Sequence, residues 1–283
     1  MASRTVLTER QKRLGSELRR MRTSADMSAE YAAGLLGVDR GKISNMESGS
    51  RSISAERLRT LACNCACTDE RYLEALVAMA QSDAKGWWDR YRGTLPQGLL
   101  DIAELEAFAI GMRVANTVHI PGLLQTSDHA LSVFRVAVPV LPDHEIGLRL
   151  AHRAERQQVL DRQDPPTFRA VVHEAALRMR FGGGNVVRAQ LAHLIEVAER
   201  PNVTLRVIPF EAGAFPGAGQ SVLYAEGPVP LLDTVQIDSS HGPTFMWAEN
   251  QLAKYRAQLD WSEHLSLSPE QSRDFIHKIA RQV

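Results

Sequence analysis

The stretch Ser28–Gly49 constrains the chain most. Ser28 stands where a helix N-cap belongs, and Ala32, Leu35 and Leu36 recur behind it at helical spacing. Gly37 follows the last apolar residue, the place where a left-handed residue ends a helix. Asp39 then caps a second short run whose inward residues are Ile43 and Met46, and Gly49 stops it. The spacing therefore predicts two short helices joined by a tight glycine turn. The second presents one outward face made of Arg40, Gly41, Lys42, Ser44 and Asn45.

The flanks extend this pattern. Thr8 and Gln11 have the spacing of a capping box, and Leu14, Leu18 and Met21 mark one apolar helical face behind them. Ser54 opens a fourth helix carrying Leu58, Leu61 and Ala62. A fifth is predicted from Asp69 to Ala80, with Tyr72, Leu73, Leu76 and Val77 inward. Residues 1–81 thus read as a five-helix bundle. Residues 82–98 form a connector with Gly86, Trp87, Trp88, Tyr91, Gly93 and Pro96, too aromatic for a flexible linker and suited to docking domains or subunits.

Residues 99–283 mix element types. Helices are predicted at Leu99–Arg113, Thr126–Val136, Asp143–Leu160, Asn185–Glu199, Glu249–Leu259 and Pro269–Arg281, and Pro121-Gly122 marks a turn. Strands are predicted at Phe168–His173, Val203–Phe210, Gln220–Ala225 and Thr234–Asp238. The expected fold is mainly α, with a second domain of α+β type. That domain is expected to hold a small mixed sheet flanked by helices.

Charge divides along the chain in the same way. The 33 Lys and Arg balance the 33 Asp and Glu. Residues 1–68 nevertheless hold 12 basic and 7 acidic residues, an excess of five positive charges, which leaves 21 and 26 for the remainder. That asymmetry suits an N-terminal part that meets a polyanion. No apolar run approaches the ~18 residues of a membrane span. The opening Met1–Val6 leads into charged residues without an apolar signal core, and three cysteines within Cys63–Cys67 make no disulfide framework. A cytoplasmic protein away from membranes is expected.

A duplex major groove, about 12 Å wide, admits one helix with an uncrowded polar face. Arg40 suits a guanine edge and Asn45 an adenine edge, while Lys42 and Arg51 are placed to reach phosphate. The free N–H groups at the starts of the second and third helices, next to Ser28 and Asp39, suit phosphate as well.

The block from Leu14 to Met21-Arg22, through Leu35-Leu36-Gly37-Val38-Asp39-Arg40-Gly41-Lys42-Ile43-Ser44-Asn45-Met46-Glu47-Ser48-Gly49, closely resembles the lambda-repressor-like, Xre-type DNA-binding domain over about residues 8–68. The resemblance implies a helix-turn-helix transcriptional regulator and a structural ion pair between Arg22 and Glu47. One position departs. That family often places Gln near the start of the second helix, where this chain has Ala29, so the contact is either lost or made elsewhere, with Ser28 the nearest candidate. The second part has three further motifs: Ile120-Pro121-Gly122-Leu123-Leu124-Gln125-Thr126, His173-Glu174-Ala175-Ala176-Leu177-Arg178 with Gly182–Gly184, and Glu199-Arg200-Pro201-Asn202 through Pro209-Phe210. Together they resemble the uncharacterised C-terminal domain of actinobacterial antitoxin-like regulators. This implies a small partner protein encoded nearby.

Other residues read as structural. Cys63 and Cys67 share a helical face, but Cys65 points away and no nearby His completes a zinc site. His173-Glu174 lacks the zincin spacing, and Asp238, Ser239 and His241 are too local for a triad. Gly182–Gly184 lacks the Lys-Ser/Thr of a phosphate loop. Gly213–Gly219 is a loop suited to cover a pocket, and Trp87, Trp88 and Trp247 suit packing. The expectation is a non-enzyme without cofactor or metal. It would bind double-stranded DNA as a homodimer on a near-palindromic operator, with a small partner protein or small-molecule effector. The alternative is an antitoxin-like interaction module whose main role is to bind the small partner.

Overall fold

The computed structural model describes residues 6–81, 86–239 and 241–283. Met1–Thr5 and residues 82–85, where the expected connector begins, lie outside the described residues. The chain divides into two compact units. The first comprises the residues up to Arg92 together with Pro228–Leu232, and the second comprises Gly93–Gly227 with Asp233–Val283.

The described residues of the first unit form five α-helices: α1 Glu9–Ser24, α2 Ala29–Leu36, α3 Arg40–Glu47, α4 Ala55–Asn64 and α5 Glu70–Gln81. Local chemistry sets their ends. Thr8 Oγ1 accepts from the Gln11 amide at 3.2 Å, while Gln11 Oε1 accepts from the Thr8 amide at 3.0 Å, a closed capping box. Ser28, Asp39 and Ser54 cap α2, α3 and α4 by accepting backbone N–H bonds. The core is built from Leu18, Met21, Ala32, Leu36, Ile43, Met46, Leu58, Leu61 and Leu76, and Val229 and Leu232 belong to it. Each fully buried Leu stabilises by roughly 1.5–3 kcal/mol.

A charged cluster lies inside this bundle. The buried Glu17 carboxylate pairs with Arg13 at 2.8 Å, accepts from Arg20 at 2.5 Å and accepts from the Tyr72 hydroxyl at 2.5 Å. Burial first, then the neighbouring Glu17, pushes the Tyr72 phenol well above its ordinary value. A carboxylate out of water needs several donors at once, and α1 and α5 supply them. Beyond α5, the Trp87 ring stands edge-on to Trp88 and Tyr91, with centroids 5.8 and 6.2 Å away, and Trp88 and Tyr91 are buried.

The second unit contains α6 Gln97–Phe108, β1 Gly111–Asn116, α7 Ser127–Arg135, α8 Asp143–Gln157, β2 Thr167–His173, α9 Glu174–Arg178, α10 Gly184–Val197, β3 Val203–Ile208, β4 Val222–Glu226, β5 Thr234–Ser239, β6 Gly242–Met246, α11 Glu249–Leu265 and α12 Pro269–Ala280. Among the described residues, six strands form one mixed sheet in the order β3-β2-β1-β4-β5-β6. β1 pairs parallel to β2 and antiparallel to β4, so the sheet changes character at β1. One face buries Met112, Val114, Phe168, Val172, Leu205 and Val207 against Leu191 and Leu194 of α10 and Ile276 of α12. The other buries Tyr224 and Val235 against Leu252, Tyr255 and Leu259 of α11.

The long helix expected over Leu99–Arg113 stops at Phe108, and the central strand β1 follows it. Two features hide this boundary. α6 buries Asp101, Glu104 and Glu106 as well as apolar residues, so polarity does not mark its inward face. β1 is buried along most of its length and therefore does not alternate polar with apolar. Gly111 opens β1 beside the Glu226 and Thr167 side chains, which would have to shift to admit a Cβ there. The edge strand β6 was not expected from sequence: Pro243 weakens its strand pattern, and its residues are only half-buried or exposed.

The quoted motifs of this unit do structural work. Asn202 Nδ2 donates to the carbonyls of Leu160 and Pro166, at 3.1 and 3.4 Å. Glu174 is buried; it accepts from Arg178 Nε at 2.6 Å and from the Phe210 amide at 2.9 Å. Gly182 and Gly183 take positive φ ahead of α10. In the 213–219 loop, Phe215 packs near the His173 ring at 5.4 Å, and Phe215, Pro216 and Gly217 line a cavity of about 20 Å³, room for little more than one water.

Candidate nucleic-acid interface

The turn between α2 and α3 is three residues long. Gly37 adopts φ 61° and ψ 40°, and its amide and the Val38 amide bond back to carbonyls of α2. Such a left-handed cap suits glycine because a Cβ is penalised there. Asp39 then starts α3, accepting from the Lys42 amide at 2.8 Å and pairing with Lys42 Nζ at 2.9 Å. The Lys42 side chain, followed by the Lys42 amide, holds the Asp39 carboxyl below its ordinary value.

Ile43 and Met46 anchor α3 to the core. Opposite them, Arg40, Gly41, Ser44 and Asn45 are exposed, and Lys42 is half-buried. The Arg40 guanidinium touches Glu30 of α2 at 3.2 Å, with both side chains 69% exposed. A pair so solvated is worth only about 0–1 kcal/mol, little enough for Arg40 to exchange it for another acceptor. Ser28 is exposed at the start of α2, with its hydroxyl capping the Tyr31 amide at 3.1 Å. Arg51 is exposed just past α3, where its amide donates to the Asn45 carbonyl at 3.1 Å. That carbonyl also accepts from the Ser48 and Ser50 hydroxyls, each at 3.1 Å, which ties down the end of the helix.

Two features hold α3 against α1. Arg22 Nε and Nη2 donate to the two Glu47 carboxylate oxygens at 2.5 and 3.0 Å, and Nη1 donates to the Met27 carbonyl at 2.6 Å. The hydrogen bond to Glu47 raises the Arg22 pKa against the opposing effect of burial. The planar fork of a guanidinium fits this bidentate geometry, whereas an ammonium would not. The second feature is a close backbone approach. A Cβ on Gly15 would stand 2.6 Å from Glu47 O and Gly49 N, and one on Gly49 would stand 2.6 Å from Gln11 O. Sequence reasoning assigned Gly49 to the helix stop and gave Gly15 no role. Its only sequence signal is a glycine inside a strong helical pattern.

The three cysteines are free. Cys63 is exposed, and Cys65 and Cys67 are half-buried against the bundle core, with Cys65 following the last residue of α4. Burial raises the Cys65 thiol pKa. Among the described residues, no group of three or more His, Cys, Asp or Glu is arranged to hold a metal. No helix among them is long and apolar enough to cross a membrane.

A tight left-handed turn between two capped short helices, with the second exposing a polar face, defines a helix-turn-helix protein. Residues 13–74 match the family described as a helix-turn-helix domain, which points to DNA binding and transcriptional regulation. Residues 99–278, most of the chain, match the family described as a domain of unknown function (DUF5753), and the chain belongs to that family. No curated protein and no solved structure matches it.

Proposed function

We propose that this chain is a sequence-specific transcriptional regulator that binds its operator as a homodimer. In this reading α3 enters the major groove. Arg40 and Asn45 read base edges, Lys42 and Arg51 hold phosphate, and Gly41 and Ser44 allow close approach. The observation that carries it is the exposed polar face of α3, set by the Gly37 turn and the Asp39 cap. A single small module makes few base contacts. Two on a dyad would read half-sites roughly 34 Å apart, hence a near-palindromic operator. The second unit supplies dimerisation and senses an effector, which acts by favouring one arrangement of the two reading heads. The protein has no catalysis of its own and works in the cytoplasm.

A gel-shift titration on DNA from upstream of the chain's own gene, at low and physiological salt, tests the proposal. Saturable binding that weakens in Arg40→Ala supports it. DNA left unbound at low salt, or Arg40→Ala indistinguishable from wild type, overturns it.

A second reading is favoured by one observation. Val136, Val138 and Val140 are 64%, 95% and 82% exposed in the segment after α7, an apolar stretch that suits a small partner protein. In this antitoxin-like reading DNA binding is secondary. Co-purification of a stoichiometric small protein encoded beside the gene, lost in Val138→Asp, would favour it.

A further inference from the structure

The second unit holds an open cleft of about 360 Å³. This lies in the size range of small-molecule sites. Its lining includes Asn116 at the end of β1, residues Ile120–Leu123 and Gln125 of the segment that follows, and Ser221–Leu223 at the start of β4. That lining mixes apolar residues, Ile102, Val114, Leu123 and Phe168 among them, with polar and charged ones.

Arginines 153 and 156 of α8 project into this cavity and differ in how they are neutralised. Arg156 forms a two-bond pair with Glu106, Nε to Oε2 at 2.8 Å and Nη2 to Oε1 at 2.5 Å. Arg153 forms no such pair among the described residues. Its Nη1 donates to the neutral Gln125 Oε1, its guanidinium lies 4.4 Å from the Phe134 ring centroid, and its buried Nε has no acceptor. Desolvation, followed by the like charge of Arg156, pulls the Arg153 pKa down to about 9, against the opposing pull of the Glu106 and Asp238 carboxylates. Arg153 is half-buried, and among the described residues its only direct side-chain acceptor is the neutral Gln125, so an anion entering the cleft would find a guanidinium not already held by a carboxylate.

We infer that this cavity binds a small monocarboxylic acid with an apolar body, its carboxylate on the Arg153 guanidinium. The inference rests on the reading of the second unit as a sensor and gives that sensor a ligand class. The guanidinium fork matches a carboxylate, and the apolar part of the lining matches the body. Asp238 also lines the cavity, close enough to act on Arg153 electrostatically, and it is held by Gln236 Nε2 at 2.9 Å. Its charge opposes a second negative charge on the ligand, so a monoanion is preferred to a phosphate dianion.

Calorimetric titration of the full chain with phenylacetate, hexanoate, 2-phenylethanol and phenyl phosphate tests this. Expected is saturable binding of the two acids. The alcohol should bind about ten- to a hundredfold more weakly, and Arg153→Gln should lose a similar factor for the acids. Asp238→Asn should narrow the preference for phenylacetate over phenyl phosphate. No saturable binding of either acid overturns the proposal, as does acid affinity unchanged in a folded Arg153→Gln. Should Arg153→Gln not fold, the exposed Asp238→Asn decides, and an unchanged preference between monoanion and dianion overturns it. Operator affinity measured in the same samples separates the two readings. Acids that bind without changing operator affinity sink the sensor role and leave the site, whereas another effector acting while the acids do not bind sinks the site alone.

Discussion

Gly15 of α1 and Gly49 after α3 meet backbone to backbone: a side chain on Gly15 would begin 2.6 Å from the Gly49 nitrogen. This contact sets how near α3 lies to α1. Gly15→Ala forces main chain apart and should destabilise the first unit by roughly 1–3 kcal/mol. Gly34→Ala is the control. It sits inside α2 with nothing within 4 Å of the added methyl, so it should stabilise by up to about 1 kcal/mol. Urea denaturation of the full chain checks both; equal effects would refute the close-approach argument.

The Arg22–Glu47 pair, each side chain 12% exposed, is neither fully buried nor freely solvated. Removing one partner leaves a largely desolvated charge, and Arg22→Ala or Glu47→Ala should cost about 2–3 kcal/mol. The double variant Arg22→Met/Glu47→Leu should recover part of that loss. A double-mutant cycle by denaturation measures the coupling, and additive losses would show that the two side chains act independently.

The Arg40–Glu30 contact should behave differently. Glu30→Gln should shift stability by no more than about 0.5 kcal/mol, since both groups are well solvated. It should tighten DNA binding by freeing Arg40 and removing a negative charge beside the groove. Arg40→Ala should cost about 1–3 kcal/mol of operator affinity and relax selectivity at one base position. Gel shifts across a set of single-base operator variants check this; a uniform loss at every site would make Arg40 a phosphate contact instead.

Acid should weaken the second unit. Burial, followed by the neighbouring His119 and Arg153, lowers the His129 pKa from 6.5 to about 4, and burial lowers that of His152 to about 3. The folded rings stay neutral while the unfolded chain takes up protons near pH 6.5. The contribution is therefore present above that pH and is lost as pH falls toward about 4. Both His129 ring nitrogens are buried without a hydrogen-bond partner, and the ring stands edge-on to Phe181 at 5.5 Å. His129→Leu should leave stability at pH 7 equal or higher and flatten the loss between pH 6.5 and 4. Melting curves across that range check it; an unchanged slope would place the acid sensitivity elsewhere.

Much of the first unit was legible because its signals are local. A cap hydroxyl, a capping amide and a terminating glycine each lie within a few residues of the backbone groups they satisfy. Thr8, Ser28, Gly37, Asp39 and Ser54 could therefore be placed by spacing. The outward face of α3 followed from the same periodicity. In the second unit most helices and four strands were visible for like reasons. β1 was not, because a strand buried along most of its length shows no period-two pattern, and β6 was not, because an edge strand with a proline shows little strand signal.

Other features depend on residues far apart in the chain. Along α8, Arg149, Arg153 and Arg156 recur at spacings of four and three, a local pattern that leaves their partners open. Only in the fold does Arg156 form a two-bond pair with Glu106 while Arg153 donates to the neutral Gln125, with the Asp238 carboxylate acting on it only across the cavity. Gly15 reads as a weakness in a helix until Glu47 and Gly49 are brought against it. Spacing reports what the backbone needs within a turn or two. Which charge is neutralised, and where two main chains touch, follow from long-range packing that no short stretch of residues encodes.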